Sequence, residues 1–240
     1  ERYEAYFAEA TDTHIAVGEA SVWYLSSQVA ISNIEAYSPD AKLVVMLRNP
    51  VEMAPALHEE MVFTGNEDVT DFSAAWHLQE DRRNGRRLPP LCWEPRRLLY
   101  GDACRIGAQL QRVLAVVPAK RILTILFDEF RDNPGEQDRR VLQFLGVPDD
   151  GRRDFPNWNP AKQRRWPLLP RLANLEVEIK RRLGIRWGFG IWRRIDASNR
   201  ISRPRRPLSK ETVGALQAYF AEDIKLLSRL LSRDLCDWLV

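Results

Sequence analysis

The chain is poor in the residues that build disulfide frameworks and metal sites. Its cysteines and histidines number three each, at Cys92, Cys104, Cys236, His14, His58 and His77. Three widely spaced cysteines make neither a set of disulfides nor the paired spacing of a zinc site, and the scattered histidines show no ligand spacing. We therefore expect reduced thiols, a reducing compartment and no bound metal.

Long apolar runs are also missing. No stretch reaches the ~18–20 apolar residues that a membrane-spanning helix needs, and no signal peptide is visible, so the sequence predicts a cytoplasmic protein without a transmembrane segment. The 240 residues are 45% hydrophobic and 29% charged. That composition is typical of a globular chain with one substantial core rather than of a disordered one.

Charge is distributed unevenly along the chain. Residues 151–206 contain 16 Lys and Arg against 4 Asp and Glu, a net of 16 − 4 = +12, whereas the whole chain carries +3, which leaves 3 − 12 = −9 for the rest. Such a basic segment suits phosphates, acidic or sulfated glycans, or an anionic membrane surface. A solvated, arginine-rich exterior explains the same composition. Because no nucleic-acid-binding module accompanies the charge, we expect no nucleic-acid partner.

The hydrophobic pattern alternates between strand-like and helix-like segments. It predicts buried strands at 42–47 and 122–127, a short strand at 14–17, and helices at 27–37, Pro50–Phe63, 69–83, 96–117, 136–145, 168–183 and from Ser209 onward. Such alternation favours an α/β fold with a parallel sheet flanked by helices. Beyond Phe155 the pattern predicts loops and helices only.

A cation follows the first predicted strand. Arg48 comes directly after residues 42–47, Asn49 has the character of a helix N-cap, and Pro50 suits the first helical position. Ligands of parallel sheets bind at the carboxyl ends of the strands, where an arginine beside a helix start can hold a phosphate. A plain strand-to-helix turn with a solvated arginine is the alternative.

Several stretches, taken in order, resemble one family. Leu47-Arg48-Asn49-Pro50-Val51-Glu52 is similar to the 3′-phosphate-binding segment of sulfotransferases that use 3′-phosphoadenosine 5′-phosphosulfate (PAPS), of the bacterial, carbohydrate or heparan-sulfate-like type. Further similar stretches are Gly18-Glu19-Ala20-Ser21, the strand and acidic-aromatic ending at 121–130, Phe144-Leu145-Gly146-Val147, and the tail at 219–238.

The resemblance implies a P-loop-NTPase-like parallel sheet and one sulfotransferase domain over residues 1–240, incomplete at its amino terminus. The family's Gly-x-x-Lys-x-Gly-Thr-Thr loop and its Lys-Glu-x-x-aromatic-Phe segment, which supplies the catalytic base, do not occur in this sequence. We therefore expect both to lie upstream of Glu1, which leaves the catalytic residues unknown and the 240-residue fragment inactive.

The resemblance also implies which residues contact the nucleotide. Arg48 corresponds to the arginine that pairs with the 3′-phosphate, and Lys162, Arg164 and Arg165 fall in the basic loop that closes over the phosphates, although a solvated basic loop would look the same. The family has a serine eight residues after the arginine, and that position is Ala56 here. The family often has an aromatic residue near the nucleobase, and that position is Ile106 here. Asp128 and Glu129 have the appearance of an acid/base pair, but the resemblance implies a structural role.

The implied function is transfer of a sulfuryl group from PAPS, the co-substrate, to a hydroxyl or amine of a glycan or glycolipid acceptor. Two alternatives remain open. A P-loop nucleotide or sugar kinase fragment would share the strand-to-helix phosphate site but should show a Walker-type loop. A degenerate, non-catalytic member would keep a basic groove for anionic glycans.

Overall fold

The computed structural model describes residues 3–156, 162–164, 166, 169, 172, 175, 176, 179, 180, 200–202 and 207–240. The helices are α1 (Ala30–Tyr37), α2 (Pro50–Phe63), α3 (Phe72–His77), α4 (Gln79–Arg83), α5 (Tyr100–Ala103), α6 (Ile106–Leu114), α7 (Phe127–Asp132), α8 (Pro134–Leu145) and α9 (Lys210–Leu231). The strands are β1 (Leu43–Leu47), β2 (Ile122–Leu126), β3 (Lys162–Arg164) and β4 (Arg200–Ser202). Short 3₁₀ turns cover Glu4–Phe7, Pro95–Leu98, Ala119–Arg121 and Cys236–Leu239.

The chain divides into two compact units. The first combines Glu1–Arg48 with Ile106–Pro156, and the second combines Asn49–Arg105 with Asn157–Val240. The first unit therefore contains the parallel strands β1 and β2, whereas the second contains α2 to α5, β3, β4 and α9.

A parallel strand pair forms the centre of the first unit. β1 pairs with β2 in the register Leu43↔Ile122 through Leu47↔Leu126. Both strands consist mostly of aliphatic residues, and the buried members Val45 and Leu47 alternate with exposed ones along β1. The α/β prediction is confirmed, and the strands predicted at 42–47 and 122–127 are confirmed to within one residue. The strand predicted at 14–17 is wrong, because those residues form a bend and irregular backbone.

Helix α8 shows how local signals set its limits. The Asn133 side chain accepts a hydrogen bond from the Glu136 amide, and Pro134 occupies the first turn. At the other end Gly146 adopts a left-handed conformation, with φ of 79°. The prediction of a helix over 136–145 ended by glycine is confirmed, and the helix begins two residues earlier than predicted.

Helix α2 opens the second unit in the predicted way. The Asn49 side chain accepts a hydrogen bond from the Val51 amide at 2.9 Å, and Pro50 takes the first helical position. The helix continues through Pro55 to its end at Phe63.

The helix predicted over 69–83 is two helices. Asp71 caps α3, because its side chain accepts a hydrogen bond from the Ala74 amide at 2.8 Å. The chain turns at Leu78, and α4 follows. The prediction placed the helix correctly but missed the break between its two parts.

The single helix predicted over 96–117 is also wrong. It is divided into the 3₁₀ turn Pro95–Leu98, then α5, then α6. The Gly101 amide donates to Gln79 Oε1 at 2.6 Å instead of to a carbonyl of the preceding turn. A tertiary hydrogen bond thus replaces a helical one at the break.

Helix α9 is confirmed from its first residue. The Ser209 side chain accepts a hydrogen bond from the Thr212 amide at 3.1 Å. The buried apolar residues of the helix recur at helical spacing, at Leu216, Phe220, Ile224 and Leu227.

The antiparallel pair β3–β4 was not predicted. Lys162 pairs with Ser202 and Arg164 pairs with Arg200. Three-residue strands joined across a long separation carry no recognisable alternation, which is why the sequence indicated only loops and helices there. The predicted helix over 168–183 lies largely outside the described residues. No helix in the described part of the chain is both long enough and apolar enough to cross a bilayer.

We expect Gly146→Ala and Gly214→Ala to change stability in opposite directions. A methyl group added at either glycine would meet no atom within 4 Å, so the two substitutions differ only in the backbone conformation that alanine must adopt. Gly146 is left-handed, so alanine there should lower the free energy of unfolding by about 1 kcal/mol. Gly214 lies in α9, where alanine should raise it by up to about 1 kcal/mol.

Urea-induced unfolding of both variants, followed by circular dichroism, measures these changes. Changes of the same sign would show that the conformation of Gly146 does not determine the end of α8.

Candidate functional site

Arg48 and Phe127 lie side by side at the carboxyl ends of the parallel strands. Because Leu47 pairs with Leu126, the residues that follow them, Arg48 and Phe127, are neighbours. The guanidinium carbon of Arg48 lies 4.6 Å from the centre of the Phe127 ring. Arg48 is half-buried. A stacked guanidinium loses little further freedom on pairing with a phosphate, so this placement suits the predicted role.

Lys42, at the opposite end of β1, has a structural role. Its Nζ donates to the carbonyl oxygens of Phe144 at 2.7 Å and of Leu145 at 3.2 Å, at the end of α8. A cation that satisfies the last carbonyls of a helix also complements the helix dipole. Of the two cations that flank β1, only Arg48 lies at the edge where parallel sheets bind ligands.

Asp128 and Glu129 lie in the first turn of α7 rather than at the end of a strand. Asp128 pairs with Arg131 at 3.0 Å, and Glu129 pairs with Arg140 of α8 at 3.5 Å. The first pair lies within α7 and the second links α7 to α8, which fits the structural role that the resemblance implied.

The other predicted phosphate-binding residues lie in the second unit. Lys162 and Arg164 belong to β3, whose backbone approaches α2. Their side chains, and Arg165 as a whole, lie outside the described residues. Their contribution to a site with Arg48 stays a prediction.

Two positions that differ from the family pattern can be located. Ala56 is half-buried on α2. Ile106 begins α6 and is 1% exposed, so its side chain belongs to the core of the first unit. A core position cannot offer a face for stacking on a nucleobase.

A buried polar cluster in the second unit was not predicted. Glu67 receives hydrogen bonds from Arg82 Nη2 and the Tyr100 hydroxyl, both at 2.7 Å, and from the amides of Asp68 and Val69 at 2.9 Å. Glu67, Arg82 and Tyr100 are almost completely buried. Burial raises the pKa of Glu67, but the hydrogen bonds from Arg82, Tyr100 and Val69 outweigh it and hold the pKa below its usual value. No sequence signal connects residues this far apart, so spacing alone could not have found the cluster.

His58 packs against this cluster. Its Nε2 lies 2.8 Å from the Val69 carbonyl oxygen, and since a carbonyl only accepts, Nε2 carries the proton. Its ring meets those of Phe72 and Tyr100 edge to face. Burial lowers the pKa of His58, against the opposing effects of Val69 and the nearby carboxylates. His58 is therefore a core histidine. Among the described residues no group of three or more His, Cys, Asp or Glu side chains could hold a metal ion.

Comparison with known proteins identifies the fold. No protein-family model and no curated protein matches the chain. Among solved structures, a sulfotransferase from Alicyclobacillus acidocaldarius matches with a TM-score of 0.68 and 24% sequence identity, over 99% of this chain and 73% of that one. The chain thus has a sulfotransferase-like α/β fold, and at this identity the likeness extends to the fold alone.

We expect His58 to make the stability of the second unit depend on pH. Its pKa in the folded state lies below its ordinary value of about 6.5, so the unfolded state binds the extra proton first. The contribution of neutral His58 to the free energy of unfolding is therefore complete above about pH 6.5 and declines as the pH falls through that value. Between about pH 7.5 and about pH 5.5, His58→Gln should lose less stability than the unaltered chain.

Urea unfolding at the two pH values gives this comparison, with the exposed His77→Gln as the control. An unchanged pH dependence in His58→Gln would assign the effect to other groups.

Proposed function

We propose that these residues form the nucleotide-binding part of a PAPS-dependent sulfotransferase of the carbohydrate type, and that Arg48 binds the 3′-phosphate of the nucleotide. The observation that carries the proposal is the position of Arg48, stacked on Phe127 at the carboxyl ends of two parallel strands. The sulfotransferase-like fold and the ordered series of similar stretches support it.

PAPS supplies an activated sulfuryl group when it is bound. In the proposed reaction the bond between sulfur and the 5′-phosphate oxygen breaks, and a bond forms from sulfur to a hydroxyl oxygen or amine nitrogen of a glycan or glycolipid. The acceptor loses its proton to a base, and adenosine 3′,5′-bisphosphate leaves. Such a transfer depends on positioning and on cations that stabilise the departing phosphate.

The residues of this chain would contribute positioning. Arg48 would fix the nucleotide by a paired contact with the 3′-phosphate, since a guanidinium fork matches phosphate oxygens. Lys162, Arg164 and Arg165 would add positive charge over the phosphates. Because the 240 residues contain no Gly-x-x-Lys-x-Gly-Thr-Thr loop, we propose that they bind the nucleotide without completing the transfer.

We expect Arg48→Ala to weaken binding of adenosine 3′,5′-bisphosphate roughly tenfold to a hundredfold. The loss corresponds to about 1.5–3 kcal/mol for hydrogen bonds to a charged group. Arg48→Lys should recover only part of it, because lysine keeps the charge and lacks the fork. Isothermal titration calorimetry measures the affinities.

Two controls make this test specific. Arg153→Ala removes the same charge from an exposed position in the same unit, and it should leave the affinity unchanged. Adenosine 5′-phosphate lacks the 3′-phosphate, so its affinity should not differ between the chain and Arg48→Ala. A loss of affinity for both nucleotides would place Arg48 away from the 3′-phosphate, and no binding of the bisphosphate at all would refute the proposed function.

The 240-residue chain should show no sulfuryl transfer. With PAPS carrying labelled sulfate and a mixture of neutral and amino sugars as acceptors, we expect label in products only at the background rate. Transfer above background would mean that residues within this sequence replace the missing loop and base. Binding of Mg-ATP in preference to the bisphosphate would instead favour the kinase alternative.

A further inference from the structure

A helix of the second unit turns an aliphatic face to the solvent. Six described residues between positions 169 and 180 are helical: Leu169, Leu172, Leu175, Glu176, Ile179 and Lys180. Leu172, Leu175 and Ile179, the aliphatic face, are spaced so that they share one side of the helix. Their exposed fractions are 51%, 42% and 46%. Large apolar side chains grouped in this way on a folded surface mark a site where a protein meets a membrane or another molecule.

The charged residues of the same helix are less exposed than its aliphatic face. Glu176 forms an ion pair with Lys180, one turn further on, and both residues are half-buried. A surface helix that faced only water would turn its charges outward and its leucines towards the core. The helix shows the reverse arrangement, which favours an apolar environment against the aliphatic face.

Tryptophan and positive charge accompany this helix in the sequence. Trp166 lies just before the helical residues, where its carbonyl accepts a hydrogen bond from the Leu169 amide at 3.3 Å, and it is 54% exposed. Residues 166–194 contain three of the eight tryptophans, and seven Lys and Arg against two Glu, a net of 7 − 2 = +5. Tryptophan is enriched where proteins meet the membrane–water interface, and basic amphipathic segments bind anionic lipids.

The cations around the aliphatic face need no paired contact with a bilayer. Arg171 directly precedes Leu172, and Arg181 and Arg182 directly follow Lys180. Because consecutive Cα atoms are about 3.8 Å apart, these charges stay near the face whichever way their side chains point. The attraction of basic residues to an anionic bilayer acts over a Debye length of about 8–10 Å and requires no defined geometry. The positive charge and the aliphatic face can therefore act on one membrane surface together.

We propose that the aliphatic face docks on the surface of an anionic lipid bilayer, with its three side chains inserted at the boundary between headgroups and acyl chains. The neighbouring arginines would attract the anionic headgroups. A second copy of the chain is disfavoured as the occupant, since two segments of net +5 repel each other. A nucleic acid would use the charges but not exposed aliphatic side chains. Docking needs neither the nucleotide nor Arg48, so it stands or falls independently of the proposed function.

Co-sedimentation of the chain with lipid vesicles tests the docking. We expect vesicles of phosphatidylcholine with about 30% phosphatidylglycerol to bind the chain at least tenfold more tightly than pure phosphatidylcholine vesicles at about 0.1 M NaCl, and most of this preference to disappear at about 0.5 M NaCl. No binding to the anionic vesicles would overturn the proposal. Dimers detected by light scattering in its place would assign the aliphatic face to a second copy, and binding only to calcium-loaded calmodulin, an acidic protein with an apolar groove, would assign it to a protein partner.

Matched variants of apolar residues locate the contact. Leu172→Gln combined with Ile179→Gln should weaken vesicle binding about tenfold or more, because two apolar side chains no longer leave water. Leu175→Trp should tighten it, a direction that a folding defect cannot produce. Val22→Gln removes an apolar side chain that is 86% exposed in the first unit, and it should leave binding unchanged. Equal losses in the double variant and in Val22→Gln would refute a local aliphatic face.

A second pair of variants tests the charge. Arg181→Gln combined with Arg182→Gln should weaken binding to the anionic vesicles about tenfold and lower its dependence on salt. Arg152→Gln combined with Arg153→Gln removes the same charge from the first unit, where both arginines pair with aspartates, and it should have a much smaller effect. Equal effects of the two pairs would show that net charge alone attracts the chain to the vesicles, which would overturn docking through this helix.

Discussion

The parallel pairing of β1 and β2 is the constraint on which the candidate site depends. Parallel strands in register bring their carboxyl ends to one edge, and here that register places Arg48 beside Phe127. A shift of one residue would turn each side chain of β1 to the other face of the sheet. The burial of Val45 and Leu47 opposes such a shift. Hydrophobic burial inside the first unit thus determines the position of Arg48.

Signals that act within a few residues were readable from the sequence. Asn49 and Pro50 at the start of α2, Gly146 after α8 and Ser209 before α9 each act on backbone groups of their own turn. Their effect does not depend on the rest of the fold, so residue type and spacing were enough. The same holds for the two aliphatic strands and for the cation that follows the first of them.

Features set by distant contacts were not readable. Side chains from much earlier in the chain bind the residues of α5 in turn: Glu67 binds Tyr100, Gln79 binds the Gly101 amide, and Arg83 binds Asp102. A hydrophobic pattern contains no information about such partners, so it predicted one long helix. The same distinction applies to the candidate site. The position of Arg48 could be predicted because it directly follows a strand in the sequence, whereas the contributions of Lys162, Arg164 and Arg165 depend on tertiary placement.

The interrupted course of the first unit has a consequence for folding during synthesis. Leu43 and its partner Ile122 are 122 − 43 = 79 residues apart, and the residues between them include Asn49–Arg105 of the second unit. A ribosome that adds about 5–20 residues per second needs roughly 4–16 s to cover that separation. During this time β1 is an apolar strand without its partner, the kind of segment that pairs with other nascent chains. Chaperone binding near residues 43–47 would therefore matter most in this interval, before β2 leaves the ribosome.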